Sequence, residues 1–334
     1  MNPDNREWER VDEKMILVMR LTGAGKSYFI QQLTGMNVSA GHELKVHILY
    51  LANFVAGTEK CQVIQTSIGN TDFAIMDTPG FDGTTRSDAE ILKVITEQLS
   101  IIRLGYNLKG IVYLHRITDN RMGGSAMRSL DIFEKLVGED ALSNVVLATT
   151  MWGNVVDIAA ANRRDSELRE EYWGSMRRRG STATRFDGTR ESARAIVEQL
   201  LGKKAVVLKV QEELVDREMS LNQTAAGVLL ELEVYAEAEQ IRKRLEQLES
   251  ELKYEKDSNK RLEVKRSQRR NAKAFSQCAE DKKTMKSKPG VEVKGKLKKW
   301  AESGGKIGLQ ALQGLAAIVS ISFGIAGFIL GAGF

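Results

Sequence analysis

Leu21-Thr22-Gly23-Ala24-Gly25-Lys26-Ser27 is a glycine-rich stretch ending in Lys-Ser. Such a loop turns successive backbone N–H groups inward around phosphate oxygens. A helix beginning beside Lys26 adds free N–H groups and partial positive charge. In this pattern Lys26 reaches the β- and γ-phosphates and Ser27 ligates Mg²⁺. Asp77-Thr78-Pro79-Gly80 follows the apolar run Phe73–Met76 in D-x-x-G spacing. There Asp77 would orient Mg²⁺, and the Gly80 N–H would meet the γ-phosphate. Thr58, in the segment between the two motifs, is the candidate third group on the metal. Together these residues imply a site for a nucleoside triphosphate and Mg²⁺.

The pattern has gaps, each with a chemical consequence. Arg20 stands where the full loop motif has its first glycine, five residues before Gly25. A glycine there relieves crowding as the strand turns; an arginine either crowds the turn or adds a cation near phosphate. Phe81 follows Gly80, and a phenyl ring cannot orient an attacking water as glutamine does. Asp82, or His115 or Arg116 from a facing subunit, are candidate substitutes, with Lys26 and Mg²⁺ stabilising transition-state charge. Just before Thr58, the run His47–Ala56 is unusually apolar for a polar loop. It is either a hydrophobic insertion or translated non-coding sequence.

The elements that must position these groups alternate. Expected strands are Met15–Met19, Cys61–Ser67, Phe73–Met76, Gly110–Leu114 and Asn144–Thr149. Expected helices are Ser27–Leu33, Ala89–Ile102, Ala126–Leu136 and Glu191–Leu200. This alternation predicts an α/β doubly wound sheet, with ligands bound beyond the carboxyl ends of its strands. Arg20, Asp77, His115 and Thr150 all fall at such ends.

On these motifs the chain resembles a septin-related GTPase of the GIMAP (immune-associated nucleotide-binding) type. The matching residues are Thr22–Ser27, Gly41–Leu44, Asp77–Asp82, Gly110–Asp119, Arg121–Ser125, Val145–Trp152 and Gly188–Ala193. The resemblance covers residues 15 to 202 and extends loosely to Thr224–Gly227. It implies a Ras-like P-loop G domain with GTP or GDP and Mg²⁺ as cofactors. It also implies slow hydrolysis and nucleotide-dependent self-association across the nucleotide face. The guanine-reading element, N-K-x-D or T-K-x-D, falls on Thr150-Met151-Trp152-Gly153. Its aspartate is replaced by Gly153, so the carboxylate that would accept from guanine N1 and N2 is missing from it. Met151 and Trp152 remain as residues that stack on a base without choosing one. A base-indifferent NTPase and a non-hydrolysing G-domain scaffold are the alternative readings.

The chain has 334 residues, 42% of them hydrophobic, enough for about two domains. The charged start, Met1 to Lys14, is not a secretory signal. Two isolated cysteines, Cys61 and Cys278, imply reduced thiols rather than a disulfide framework. The expected layout is a disordered N-terminus over 1–14 and a G domain over 15–202. A helical or coiled-coil region over 203–275, a basic linker over 276–306 and a membrane tail anchor over 307–334 would follow. Val234, Ala238, Ile241, Leu245, Leu248, Leu252, Asn259 and Leu262 occupy heptad a and d positions, with Glu255 interrupting the seam. A short coiled coil and a helical hairpin folded back on the G domain fit equally. Residues 260–300 carry 15 Lys/Arg against 4 Asp/Glu, whereas the whole chain is only +5. The final twenty residues, Leu315–Phe334, carry no charge and have the length of a bilayer span. Lysines precede them, as on a cytosolic flank. The expectation is attachment to the cytosolic face of an intracellular membrane, or otherwise a cytoplasmic protein. Self-association through the G domain and helices, and lipid contact through the basic flank and C-terminal helix, are the expected partnerships. No motif for reading nucleic acid is present.

Overall fold

The computed structural model describes residues 13–20, 24–35, 48–49, 62–78 and 86–302. Among the described residues seven strands form one sheet: β1 (Lys14–Arg20), β2 (Ile48–Leu49), β3 (Gln62–Ile68), β4 (Thr71–Asp77), β5 (Asn107–Arg116), β6 (Val145–Thr150) and β7 (Thr182–Arg185). Their order is β2-β3-β4-β1-β5-β6-β7. β1 pairs in parallel with both β4 and β5, and β6 continues the parallel set to β7, while β3 runs antiparallel to its neighbours. Central strands covered on both faces read as continuous apolar runs, and Met15–Met19 and Val145–Ala148 are fully or almost fully buried.

Helices cover both faces, as the doubly wound expectation requires. On one face α1 (Lys26–Thr34) and α6 (Arg190–Leu201) pack Phe29, Ile30, Leu33, Ile196, Val197 and Leu200 against Ile16, Val18, Val112 and Val146. On the other face lie α2 (Asp88–Gly105) and α3 (Gly124–Val137). Ser87 and Glu90 form a reciprocal capping box that fixes the start of α2. α4 (Ile158–Glu167), a π turn over Leu168–Tyr172 and α5 (Gly174–Arg178) connect β6 to β7. The sequence reading missed these elements and β7.

Beyond α6 the chain crosses the second face through α7 (Lys209–Gln211) and a π turn over Glu212–Asp216. α8 (Ala225–Tyr254) and α9 (Ser258–Met285) follow, then α10 (Pro289–Glu302). α8 packs on α3 and α9, and both α9 and α10 pack on α2. The heptad run therefore does not lie on one continuous helix. α8 ends at Tyr254, and Asp257 caps α9 by accepting from the N–H groups of Asn259 and Lys260. Arg261 closes the turn by donating to the carbonyls of Leu252 and Glu255. Leu262, read as a seam position, is exposed on α9. The hairpin alternative is the arrangement observed.

Of the linker expected over 276–306, residues 276–285 are the end of α9 and 289–302 are α10. α10 docks through Val293 and Leu297, both buried. A Cβ on Gly290 would stand 2.0 Å from the Leu214 carbonyl oxygen, so only glycine permits this close approach. Among the described residues no helix is long and apolar enough to cross a membrane. The expected anchor at 307–334 lies outside the described residues, as do residues 1–12 of the disordered N-terminus expected over 1–14, whose last residue, Lys14, instead begins β1.

Candidate functional site

β1 delivers the backbone of Arg20 to the carboxyl edge of the sheet, beside Leu114 of β5. Gly25 sits in the left-handed region at φ 76°, which an L side chain adopts at a cost. It is the residue from which α1 starts. Lys26 follows as the first residue of α1, with Ser27 exposed beside it.

The Lys26 side chain is buried and turned toward the end of β4. Its ammonium pairs with the Asp77 carboxylate and donates to the Thr78 carbonyl. Thr78 is held in turn by β1: its N–H and hydroxyl donate to the Val18 carbonyl, at 3.3 and 3.1 Å. The structure thus brings Lys26 and Asp77, some fifty residues apart, into direct contact. Among the described residues no cluster of three or more His, Cys, Asp or Glu could hold a metal by itself. Ser27 and Asp77 are hard oxygen donors on two adjoining elements. That set suits Mg²⁺, which takes few protein ligands and completes its shell with phosphate and water. Thr22, Gly23, Thr58, Gly80, Phe81 and Asp82 lie outside the described residues.

A cavity of about 300 Å³ adjoins the start of α1. One wall is the loop after β6, Thr150 to Asn154; the other is Phe186-Asp187-Gly188, after β7. Thr150 ties the first wall to the glycine-rich loop, its hydroxyl donating to the Ala24 carbonyl at 2.9 Å. Met151 adopts φ 63°, unusual for a residue with a side chain, and its Cε lies 3.0 Å from where a Cβ on Gly25 would stand. Tyr28 of α1 bridges to the second wall by donating to the Gly188 carbonyl at 3.0 Å.

Trp152 is held from beneath. Its indole N–H donates to Thr149 Oγ1 at 3.1 Å, and the Arg185 guanidinium lies 4.1 Å from its ring centroid. Both partners meet the buried Asp165. Thr149 donates to one of its oxygens, and Arg169 and Arg185 donate to the other. Sequence reasoning missed Asp165, Arg185 and Asp187. Nothing in one sequence marks Asp165, whereas Asp187 directly precedes the Gly188–Ala193 motif.

His115 does not serve as sequence reasoning allowed. It is buried edge-on against Trp173, with ring centroids 6.1 Å apart, and cannot reach a facing subunit. Burial pushes its pKa down to about 4, so the imidazole is neutral near pH 7. Arg116 is engaged with Asp119.

No protein-family signature matches the chain, and no curated protein resembles it in sequence. Among solved structures it is similar to Toc33 from Arabidopsis thaliana in complex with Mg²⁺ and GMPPNP. That match has 14% identity and a TM-score of 0.44, over 59% of this chain and 89% of that one. It is also similar to a bacterial selenocysteine-specific elongation factor, at 14% identity and TM-score 0.39, over 57% of this chain and 29% of that one. A third is the G domain of the T. maritima FeoB iron transporter, at 15% and 0.34, over 56% and 98%. Likenesses this low carry no argument about function. The strand order, with β1 between β4 and β5 and a glycine-rich loop at its carboxyl end, is itself that of a Ras-like P-loop sheet with a helical extension.

Proposed function

We propose that this chain binds guanine nucleotides with Mg²⁺, and that its nucleotide state controls self-association at a membrane facing the cytosol. One observation carries the reading. The Lys26 ammonium, at the first turn of α1, pairs with Asp77 at the mouth of the sheet and beside a cavity of base size. A triphosphate entering along the glycine-rich loop would give Lys26 phosphate oxygens as partners. Asp77 would then be released from the lysine to face Mg²⁺ beside Ser27. Turnover would be slow, because Phe81 offers no amide to orient water. Self-association would use the nucleotide face and the exposed helical hairpin. The basic flank and the uncharged segment 315–334 would meet the lipid.

The test is titration of the full-length chain with fluorescent GTP and Mg²⁺, alongside Lys26→Ala. Saturable binding weakened a hundredfold or more by the substitution supports the site. Equal binding by the two proteins, or no binding by the wild type, refutes it. A base-indifferent NTPase is the second reading, favoured by Gly153, where a Cβ would meet nothing within 4 Å. The β6 loop therefore presents open space where a guanine-reading carboxylate would stand.

A further inference from the structure

Of the described residues lining the cavity, Asp187 alone is charged. It comes from the loop between β7 and α6, the wall opposite Gly153. Its Oδ1 accepts from the Thr189 N–H at 2.8 Å and from the Thr189 hydroxyl at 2.7 Å. These bonds fix the carboxylate and hold its pKa below the usual carboxylate value, so it is ionised at neutral pH. The Ser192 side chain makes a further, weaker contact with the carboxylate, and among the described residues no donor reaches Oδ2 in normal hydrogen-bond geometry. An anion held by Thr189 therefore stands at the rim of a pocket whose other described polar groups are neutral.

We propose that Asp187 is the base-reading group of this site, its free oxygen accepting the N1–H and exocyclic amino hydrogens of guanine. The carboxylate missing at Gly153 would thus be supplied across the pocket. The inference rests on the nucleotide-binding reading and adds the base to it. Guanine presents two adjacent donors on that edge, which a carboxylate accepts together. Adenine presents an acceptor at N1 and no amino group at C2, so it would set an acceptor against the exposed anion and make neither bond. The competing role for Asp187 is structural: its Oδ1 shapes the turn into α6, where Thr189 caps the helix by accepting from the Ser192 N–H.

Asp187→Asn separates the two roles. Asparagine retains an Oδ1 acceptor for Thr189 and replaces the free oxygen with an N–H₂ donor. Xanthine carries a carbonyl where guanine has its amino group, so at C2 the new N–H₂ meets an acceptor in place of a second donor. The experiment titrates full-length wild type and Asp187→Asn with GTP, XTP and ATP in Mg²⁺, with thermal melting of both. The expected result is at least tenfold weaker GTP and at least tenfold tighter XTP binding, at an unchanged melting temperature. Adding Gly153→Asp to the variant should return the preference to GTP, since that position is open. Unchanged GTP preference in Asp187→Asn overturns the proposal while leaving nucleotide binding intact. Equal loss of all three nucleotides shows a purely structural aspartate and overturns it too. A wild type that binds none of them overturns the nucleotide reading itself.

Discussion

Trp152 reaches the cavity because one buried carboxylate organises the residues beneath it. Asp165 accepts from Thr149, Arg169 and Arg185, and two of these three contact the indole. Removing that carboxylate leaves two partly exposed arginines that water can serve, so the loss is milder than that of a buried, unpaired charge. Asp165→Ala should destabilise the fold by about 2 kcal/mol. It should also weaken nucleotide binding, because Arg185 is no longer aimed at Trp152. Urea denaturation and GTP titration of the same variant check both effects; full stability with unchanged affinity would contradict this account. The phosphate-side residues were legible at this scale because loop, lysine and D-x-x-G have fixed spacings that follow from their chemistry. Asp165 and Arg185 were not, since a ring of contacts among β6, α4 and β7 leaves no short-range pattern. The role given to His115 failed because a single histidine at a strand end says nothing of what packs over it.

The extension is fastened to the G domain by helix-on-helix contacts, and one of them is sensitive to pH. Glu97 of α2 is buried beneath α10, facing Lys93 on its own helix and Lys296 and Glu292 on α10. Burial dominates and raises its pKa from 4.5 to about 7, against the pull of the two lysines. A carboxyl raised in this way contributes stability in full below about pH 4.5, and that contribution is lost as pH rises through 7. Glu97→Gln should therefore resemble wild type at pH 5 and be more stable at pH 8, by on the order of 2 kcal/mol. Melting temperatures at the two pH values measure this, and a wild type that gains on the variant between pH 5 and 8 would refute it. The major strands and helices of the G domain were readable because their apolar runs and 3.6-residue periodicity are long. β7 escaped because a four-residue, half-exposed strand, Thr182–Arg185, has almost no apolar pattern. The turn between α8 and α9 was ambiguous because Glu255-Lys256-Asp257 contains neither glycine nor proline, while the flanking apolar spacing continues across it.

In the whole molecule, the nucleotide edge and the helical hairpin present different chemistries. Lys260, Lys265, Arg266, Arg269, Arg270 and Lys273 are exposed on α9, and none forms an ion pair among the described residues. Arg266, Arg269 and Lys273 recur at three- and four-residue spacing, along a line opposite the side that packs on α8. Such a face is suited to anionic headgroups, at on the order of 1 kcal/mol for each cation near the surface. Replacing Arg266, Arg269 and Lys273 together with Glu should sharply reduce flotation of the full-length chain with phosphatidylserine vesicles. Binding to neutral vesicles should stay as it was; undiminished flotation with the anionic ones would count against lipid contact by this face. The nucleotide edge bears the central claim, and competition measures it most directly. Labelled GTP bound to the full-length chain in Mg²⁺ is displaced by unlabelled GTP, GDP and ATP in turn. The account predicts that GTP and GDP displace it at least a hundredfold more effectively than ATP, a difference of about 2.7 kcal/mol. Displacement by ATP at the same concentrations as GTP, or the absence of any bound label, would contradict it.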